Sequence, residues 1–436
     1  MKTVLVWTIL VLALASVGVL VAIGWIRGAP QPGLLSVPEF EEAAHYPREH
    51  RPLRPGNYAP KGLWDEADLP RDAFGELGPL AASAGSDAEP GPAPGRTWRL
   101  VAVGDVMAHA DVQVGAALHR HDPGETSGGY DWIFAEVAPL FVGADLVLGN
   151  LETPVSPSRP PAGYPHFNAD PFLLDALARL GFDVLFTANN HALDQGVDGL
   201  VETQQQLEQR GLLHLGTHRP DRDVRDHLLV SVGGAPALVL GLVNVTLAVN
   251  PAPDDPRLLE WPPPGADPAQ AIGRRIRAAR DAGAEAVLVF LHWGREYHVI
   301  PTPAQRELAR ALCLAGADVI LGAGPHVIQP MERLHTRDGE WLDAPAPGAR
   351  EHFVAYSLGN FVSHQRGAAQ YGLALELEIE AVRAPGEAGI RVRSATPRVL
   401  QSVMLREQWP GGEPGSDHHT FRLRELPLTE FLEALR

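Results

Sequence analysis

Val184-Leu185-Phe186-Thr187-Ala188-Asn189-Asn190-His191 is an apolar run that stops on two amides and an imidazole. Four other stretches end in a similar way. Leu100 to Gly104 runs into Asp105, and Leu146 to Gly149 into Asn150 and Glu152. Ala286 to Leu291 runs into His292, and Val319 to Gly324 into Pro325 and His326. Runs of about four to eight aliphatic or β-branched residues, separated by helical patterns, read as buried parallel strands. In open α/β sheets, ligands sit outside the carboxyl ends of the strands. One Asp or Asn in such a place is an ordinary turn residue. Five strand ends that each deliver Asp, Glu, Asn or His point at one shared site able to hold a divalent metal.

The pattern around these runs predicts the architecture. Strands at 98–104, 145–149 and 182–188 alternate with helical patterns at 131–142, 171–180 and 197–210. Strands at 228–232 and 237–243 follow, then a helix at 267–283 before strand 285–291 and a helix at 303–316 before strand 318–323. Segments 352–357, 374–382 and 390–394 alternate apolar and polar residues, as antiparallel or edge strands do. Strand–helix alternation followed by a β-rich tail predicts an α/β protein with two packed sheets and helices outside them.

Amino-terminal to this body the chain is different material. Val4 to Ile26 is apolar apart from Thr8 and Ser16, and Lys2 and Arg27 flank it. Roughly 20 such residues span a bilayer core, whereas secretory signal cores are usually about 7–15 residues long. The small-residue pattern Ala13-Leu14-Ala15 falls inside the stretch, so residues 1–27 read as an uncleaved anchor. The positive-inside rule specifies orientation only weakly here; the long hydrophilic region that follows places residues 28 onward outside the cytoplasm. Residues 28–96 are Pro-, Gly- and Ala-rich without periodicity, the composition of an extended tether. Residues 97–436 then form the main domain. A net charge of −17 argues against nucleic acid as a partner, and the single cysteine, Cys313, allows no intramolecular disulfide.

The motifs differ in specificity. Gly104-Asp105 is weak alone. Glu152 in Gly149-Asn150-Leu151-Glu152 opens into the crevice, or else serves as a capping or ion-paired carboxylate. Asn189-Asn190-His191 is the most specific local signal, because buried amides must find partners. His292-Trp293-Gly294-Arg295-Glu296-Tyr297 offers a ligand histidine beside an aromatic wall, or a structural histidine. Pro325-His326 supplies a last imidazole, and Ser357-Leu358-Gly359-Asn360-Phe361 closes the set with a tight turn.

Together, GDVM at 104–107, GNLE at 149–152, ANNHALDQG at 188–196, HWGREY at 292–297, GPHVIQPME at 324–332 and YSLGNF at 356–361 resemble the CapA family. These are bacterial capsule or poly-γ-glutamate biosynthesis proteins related to calcineurin-like metallophosphoesterases. The resemblance covers about residues 97 to 365. It implies a four-layer α/β/β/α sandwich behind an amino-terminal transmembrane helix, a single-pass extracytoplasmic protein of the cell membrane, and a role in a surface polymer. Carried over residue by residue, it implies one metal on Asp105 and His326, another on Asn190 and His292, and Glu152 between them. His191, next to Asn190, would act as general acid or phosphate ligand. Mn, Mg, Fe or Zn suit such oxygen and nitrogen donors, and one or two ions could be held.

Two positions depart from the related patterns. Asp105-Val106-Met107 stands where metallophosphoesterases have Asp-x-His, and Gly324 stands where the CapA family usually has a histidine. Gly324 leaves the second metal one ligand short, and His109 is the nearest substitute, although a lone histidine there reads first as exposed. Three functions follow: a metal-dependent hydrolase or transferase of polymer assembly, a non-catalytic accessory subunit binding anionic polymer or membrane partners, and a general extracytoplasmic phosphatase. Arg295, Arg306, Arg310 and Arg366 are the candidate basic patch for an anionic polymer or phosphoester-type substrate.

Overall fold

The computed structural model describes residues 96–121, 126–233, 237–249, 253–263, 265–384, 387–408 and 417–434. The expected anchor at 4–26 and the linker up to residue 95 lie outside them. No helix among the described residues is long and apolar enough to cross a membrane.

Fifteen strands are described: β1 (Thr97–Val106), β2 (Leu146–Leu151), β3 (Val184–Phe186), β4 (Leu213–Leu215), β5 (Leu228–Val232), β6 (Leu238–Thr246), β7 (Ala286–His292) and β8 (Val319–Ala323), then β9 (Met331–Arg337), β10 (Glu340–Leu342), β11 (Arg350–Ala355), β12 (Asn360–Val362), β13 (Tyr371–Ala384), β14 (Glu387–Gln408) and β15 (Asp417–Leu426). They form two sheets, ordered β15-β14-β13-β1-β2-β3-β4 and β10-β9-β11-β8-β7-β6-β5, with β12 paired to β1. Strands β1 to β4 are mutually parallel, as are β6, β7, β8 and β11. Antiparallel strands flank both parallel centres. The expected mixed α/β arrangement of two sheets is present.

Alternation along each strand divides the core into three. Leu100, Ala102, Leu148, Phe186, Leu240, Leu288, Phe290 and Leu321 meet between the sheets, and the Phe186 and Phe290 rings stack across that gap at 4.6 Å. Their neighbours Val101, Val103, Val147 and Leu185 face the other way. There they pack against helices α1 (Ala110–Leu118), α2 (Tyr130–Phe134), α3 (Phe172–Arg179) and α4 (Gly196–Gln209). On the second sheet Val243, Val287, Val289 and Ile320 pack outward on α5 (Pro268–Asp281) and α6 (Pro303–Leu314). Each apolar run is thus buried on both faces, as a central parallel strand requires.

One expected helix needs correction, and two helices are additional to those expected. The helix at 131–142 is instead the short α2 followed by a single 3-10 turn at Ala138–Leu140. Pro139 lies in that turn's first positions, and its missing N–H prevents one continuous helix. The additional helices are α1, whose apolar residues form no single stripe, and the last helix, α7 (Leu428–Ala434).

Candidate metal centre

Parity places the donors. On β2, Leu146 and Leu148 face the inter-sheet core, so Asn150 and then Glu152 continue that face. On β7, Ala286, Leu288 and Phe290 lead in the same way to His292. On β1 simple alternation would turn Asp105 outward. A bulge corrects it: Ala102 pairs with Leu148, yet Asp105 pairs with Asn150, so β1 spends one residue more than β2. Gly104 occupies the bulge because β12 crosses there; a Cβ on Gly104 would lie 1.8 Å from the Gly359 carbonyl oxygen. The Asp105 N–H donates to that carbonyl at 3.0 Å, which ties the GDVM motif to the SLGNF turn.

The four strand ends converge. Asp105, Glu152 and His326 each offer a ligand atom, all within 4.8 Å of one another, and all three residues are buried. His326 Nδ1 lies 3.0 Å from Asp105 Oδ2 and 3.9 Å from Glu152 Oε2. His292 Nε2 lies 3.7 Å from Glu152 Oε1. Asn189, on the turn after β3, donates to the Leu151 carbonyl at 2.8 Å and holds its own turn against β2. Its Oδ1 accepts the His191 N–H at 3.1 Å, and His191 Nδ1 bonds Asp194 Oδ2 at 2.7 Å. Asn190 stands between them with Oδ1 buried and without a hydrogen-bond donor.

The electrostatics are those of a site short of positive charge. Burial, reinforced by Asp105, Glu296 and Asp194, holds the Glu152 carboxyl well above the ordinary range. Burial also acts on Asp105, but the hydrogen bond and charge of His326 outweigh it and bring the acid below its usual value. His326 is raised: burial opposes its charge, and Asp105 more than compensates. His292 is pushed down to about 4, chiefly by burial, with His326 and His191 adding to the shift. Both Glu152 oxygens and Asn190 Oδ1 are buried acceptors that receive no hydrogen bond from the protein. Buried polar groups are normally satisfied, and the two Glu152 oxygens beside the His326–Asp105 pair are donors that Mn, Mg, Fe or Zn would take. The residues therefore fit a divalent cation.

Several expectations change in detail. Trp293 is not a wall of the crevice: it stacks on Tyr356 at 5.9 Å on the outer side of the second sheet and donates to the Tyr356 carbonyl. The aromatic ring near the metal residues is Tyr297, 5.9 Å from His326. His109 is half-buried, contrary to the exposed reading. Its ring meets Phe167 edge-on at 5.0 Å, and Phe167 meets His191 at 4.8 Å. Arg306 and Arg310 belong to no basic patch at the site, since they lie over Tyr356 and Trp341 on α6. Arg295 is exposed beside His292.

Two amides were quoted in motifs without being assigned a role. Asn150 donates to Asp105 Oδ1 at 2.7 Å and approaches His292 Nδ1 at 3.3 Å. Asn360 donates to Gln365 and to the Ala369 carbonyl, which aims its Oδ1 at His326 Nδ1, 3.1 Å away. Gly324 donates its N–H to Asp105 Oδ2 at 3.2 Å, and a Cβ there would point at His292 Nε2, 3.1 Å off. The backbone of this turn does face the crevice. Gly324 has φ +101°, a region that favours glycine.

Comparisons with known proteins fit this arrangement of motifs. Residues 99–365 match the family model described as bacterial capsule synthesis protein PGA_cap. The chain is 30% identical over 276 residues to the capsule biosynthesis protein CapA of Bacillus anthracis, covering 61% of this chain and 60% of that protein. It is 32% identical over 245 residues to the PGA biosynthesis protein CapA of Bacillus subtilis, covering 54% and 58%. The chain thus spans about three-fifths of the length of these curated relatives. Among solved structures, the calcineurin-like phosphoesterase YfkN of Bacillus subtilis superposes with a TM-score of 0.40 at 12% identity, over 70% of this chain and 91% of that one. With the family model covering more than half of its residues, this chain belongs to the bacterial capsule synthesis protein PGA_cap family.

Proposed function

We propose that the protein is a membrane-anchored, extracytoplasmic component of capsule or poly-γ-glutamate assembly whose crevice holds a divalent cation and acts on the anionic polymer. The observation that carries the cation is Glu152, a buried carboxyl with both oxygens undonated at the meeting point of Asp105, His292 and His326. Asp105, Glu152 and His326 would hold one ion, and Asn190 with His292 would add ligands for a second beside Glu152. A bound divalent ion supplies Lewis-acid polarisation of an acyl or phosphoryl oxygen and an acidified water. The chain supplies the rest. Asn150 and Asn360 fix Asp105 and His326. Asp194 accepts from His191 Nδ1 and leaves Nε2 of that ring to take or return a proton. Phe167 packs edge-on against the His191 ring at 4.8 Å and helps to hold it.

Gly324 favours a second reading, an accessory subunit that binds polymer through its cation without cleaving it, because the site on Asn190 and His292 lacks a tethered ligand. One experiment separates these from a general phosphatase. The full-length protein, loaded with Mn²⁺, is incubated with poly-γ-glutamate and, separately, with p-nitrophenyl phosphate. Shortening of the polymer indicates a hydrolase; binding without shortening indicates the accessory role. Turnover of the phosphate ester alone contradicts a polymer role. Reporter fusions after Arg436 test the topology, and a fusion active only in the cytoplasm contradicts it, as does a mature amino terminus near Pro30.

A further inference from the structure

The backbone of the site holds strain that the metal ligands alone do not explain. Three non-glycine residues among the described ones have left-handed backbones: Tyr297 (φ 64°), His326 (φ 60°) and Asp338 (φ 55°). Asp338 is in the tight turn between β9 and β10, where such geometry is routine for Asp. Tyr297 and His326 are bulky and sit against each other, ring centroids 5.9 Å apart. Side chains of this kind disfavour that backbone, and residues held in it cluster at sites where a group must be aimed.

The local bonds show how Tyr297 is held. Its N–H donates to the Pro325 carbonyl at 2.8 Å, joining the loop after β7 to the loop after β8. Gln365, beyond β12, reaches its hydroxyl at 3.4 Å. Yet the side chain remains 43% exposed, so burial is not what keeps an aromatic ring there. Tyr164, on the loop after β2, is also exposed, at 67%, and packs edge-on with Phe167 at 6.3 Å. The loop after β7 thus presents an exposed aromatic ring next to the exposed Arg295 and Glu296.

We infer that Tyr297 is a clamp residue for the substrate chain: its ring, held against His326, stacks on one planar amide unit of a polyamide while a carboxylate of the same chain reaches the cation. This rests on the polymer reading above and names how the repeat is recognised. Aromatic faces stack on flat, polarised groups whatever their sequence, and an amide repeat offers one per residue. Carboxylate charge alone would need only the cation. The strain is then the cost of holding the ring over the ligand, and glycine at 297 would relieve it.

The test compares two polyanions, poly-γ-glutamate and polyacrylate, which share carboxylates but differ in having amides. Binding to the full-length protein is measured with Mn²⁺ present. The unmodified protein should prefer poly-γ-glutamate by about tenfold. Tyr297→Phe should keep the preference, because the ring remains. Tyr297→Gly should abolish it while Mn²⁺ stoichiometry is unchanged and the melting temperature is not lowered, a combination that a structural role for Tyr297 would not give. Equal affinity of the unmodified protein for the two polymers overturns the clamp alone, as does a preference that survives in Tyr297→Gly. Failure of the unmodified protein to bind either polymer overturns the polymer reading and the clamp with it.

Discussion

Two buried carboxylates sit at opposite ends of the parallel strands, and they are treated differently. Asp318, just before β8, is fully buried and fully paired: Arg280 and Arg350 donate to it, and so does the Val287 N–H at 2.7 Å. Glu152, just after β2, is equally buried and has no donor on either oxygen. The same chain that brings two guanidiniums to one carboxylate leaves the other bare among an imidazole pair and two amides. Full pairing is what structural burial of a charge demands. The bare end is where the fold leaves room for a cation from outside.

The largest effect should come from breaking the paired end. Asp318→Ala strands two arginines and a backbone N–H, and should cost about 3–5 kcal/mol of unfolding free energy in denaturant titration, with metal content unchanged. A loss of metal without a loss of stability there would erase the distinction between the two ends. Next in size are ligand changes at the bare end. His326→Ala should abolish tight metal in dialysis followed by elemental analysis, while Asn360→Ala, which removes a partner of that ligand, should weaken it by about 10–100-fold. Equal affinity in His326→Ala would place the ion elsewhere.

Acidity sharpens the contrast further. Glu152 and His326 are both raised in the metal-free protein. A group raised on folding contributes stability below its unfolded pKa and loses it as pH rises through the folded value. For Glu152 that loss begins above the ordinary carboxyl range, and for His326 above the ordinary imidazole range. His292, pushed down to about 4, adds a cost in the other direction, between the ordinary imidazole pKa and about 4. A cation replaces the protons on Glu152 and His326, so the rise in melting temperature on adding Mn²⁺ should grow from about pH 5 to about pH 8. A rise that shrinks over that range would show that these groups are not the ones displaced. The smallest effect is at Gly324: the unmodified protein should hold about one tight ion, and Gly324→His should raise this towards two. The left-handed backbone there opposes the change, although His326 shows that this turn accepts an imidazole in such a conformation. Two tight ions in the unmodified protein would point to a replacement ligand, with His109 the first to test.

Much of this was legible in the sequence because it depends on local pattern. The apolar runs gave the parallel strands, and period-two alternation carried Glu152 and His292 onto the inner face. Asp105 was placed by its motif and not by alternation, since the β1 bulge depends on β12 arriving from more than two hundred residues away. Helix α1 was missed because it is buried along Val112–Ala116 and shows no polar stripe; its Gly115 lies against β15, where a Cβ would come within 2.5 Å of the Phe421 Cβ. Asn150 and Asn360 stood in the quoted motifs, but their partners are set by pairing across strands. Tyr297 could not be singled out from Trp293 four residues before it, because the left-handed backbone at Tyr297 and its bond to the Pro325 carbonyl depend on the loop after β8.

The most direct measurement is the melting of the metal-free protein and of Glu152→Gln, each with and without Mn²⁺. If Glu152 is a bare carboxyl kept for a cation, removing its charge should leave the metal-free melting temperature equal or higher, and should remove most of the stabilisation by Mn²⁺ that the unmodified protein shows. A lower metal-free melting temperature, with the Mn²⁺ response intact, would mean that Glu152 is held by the fold in the way Asp318 is.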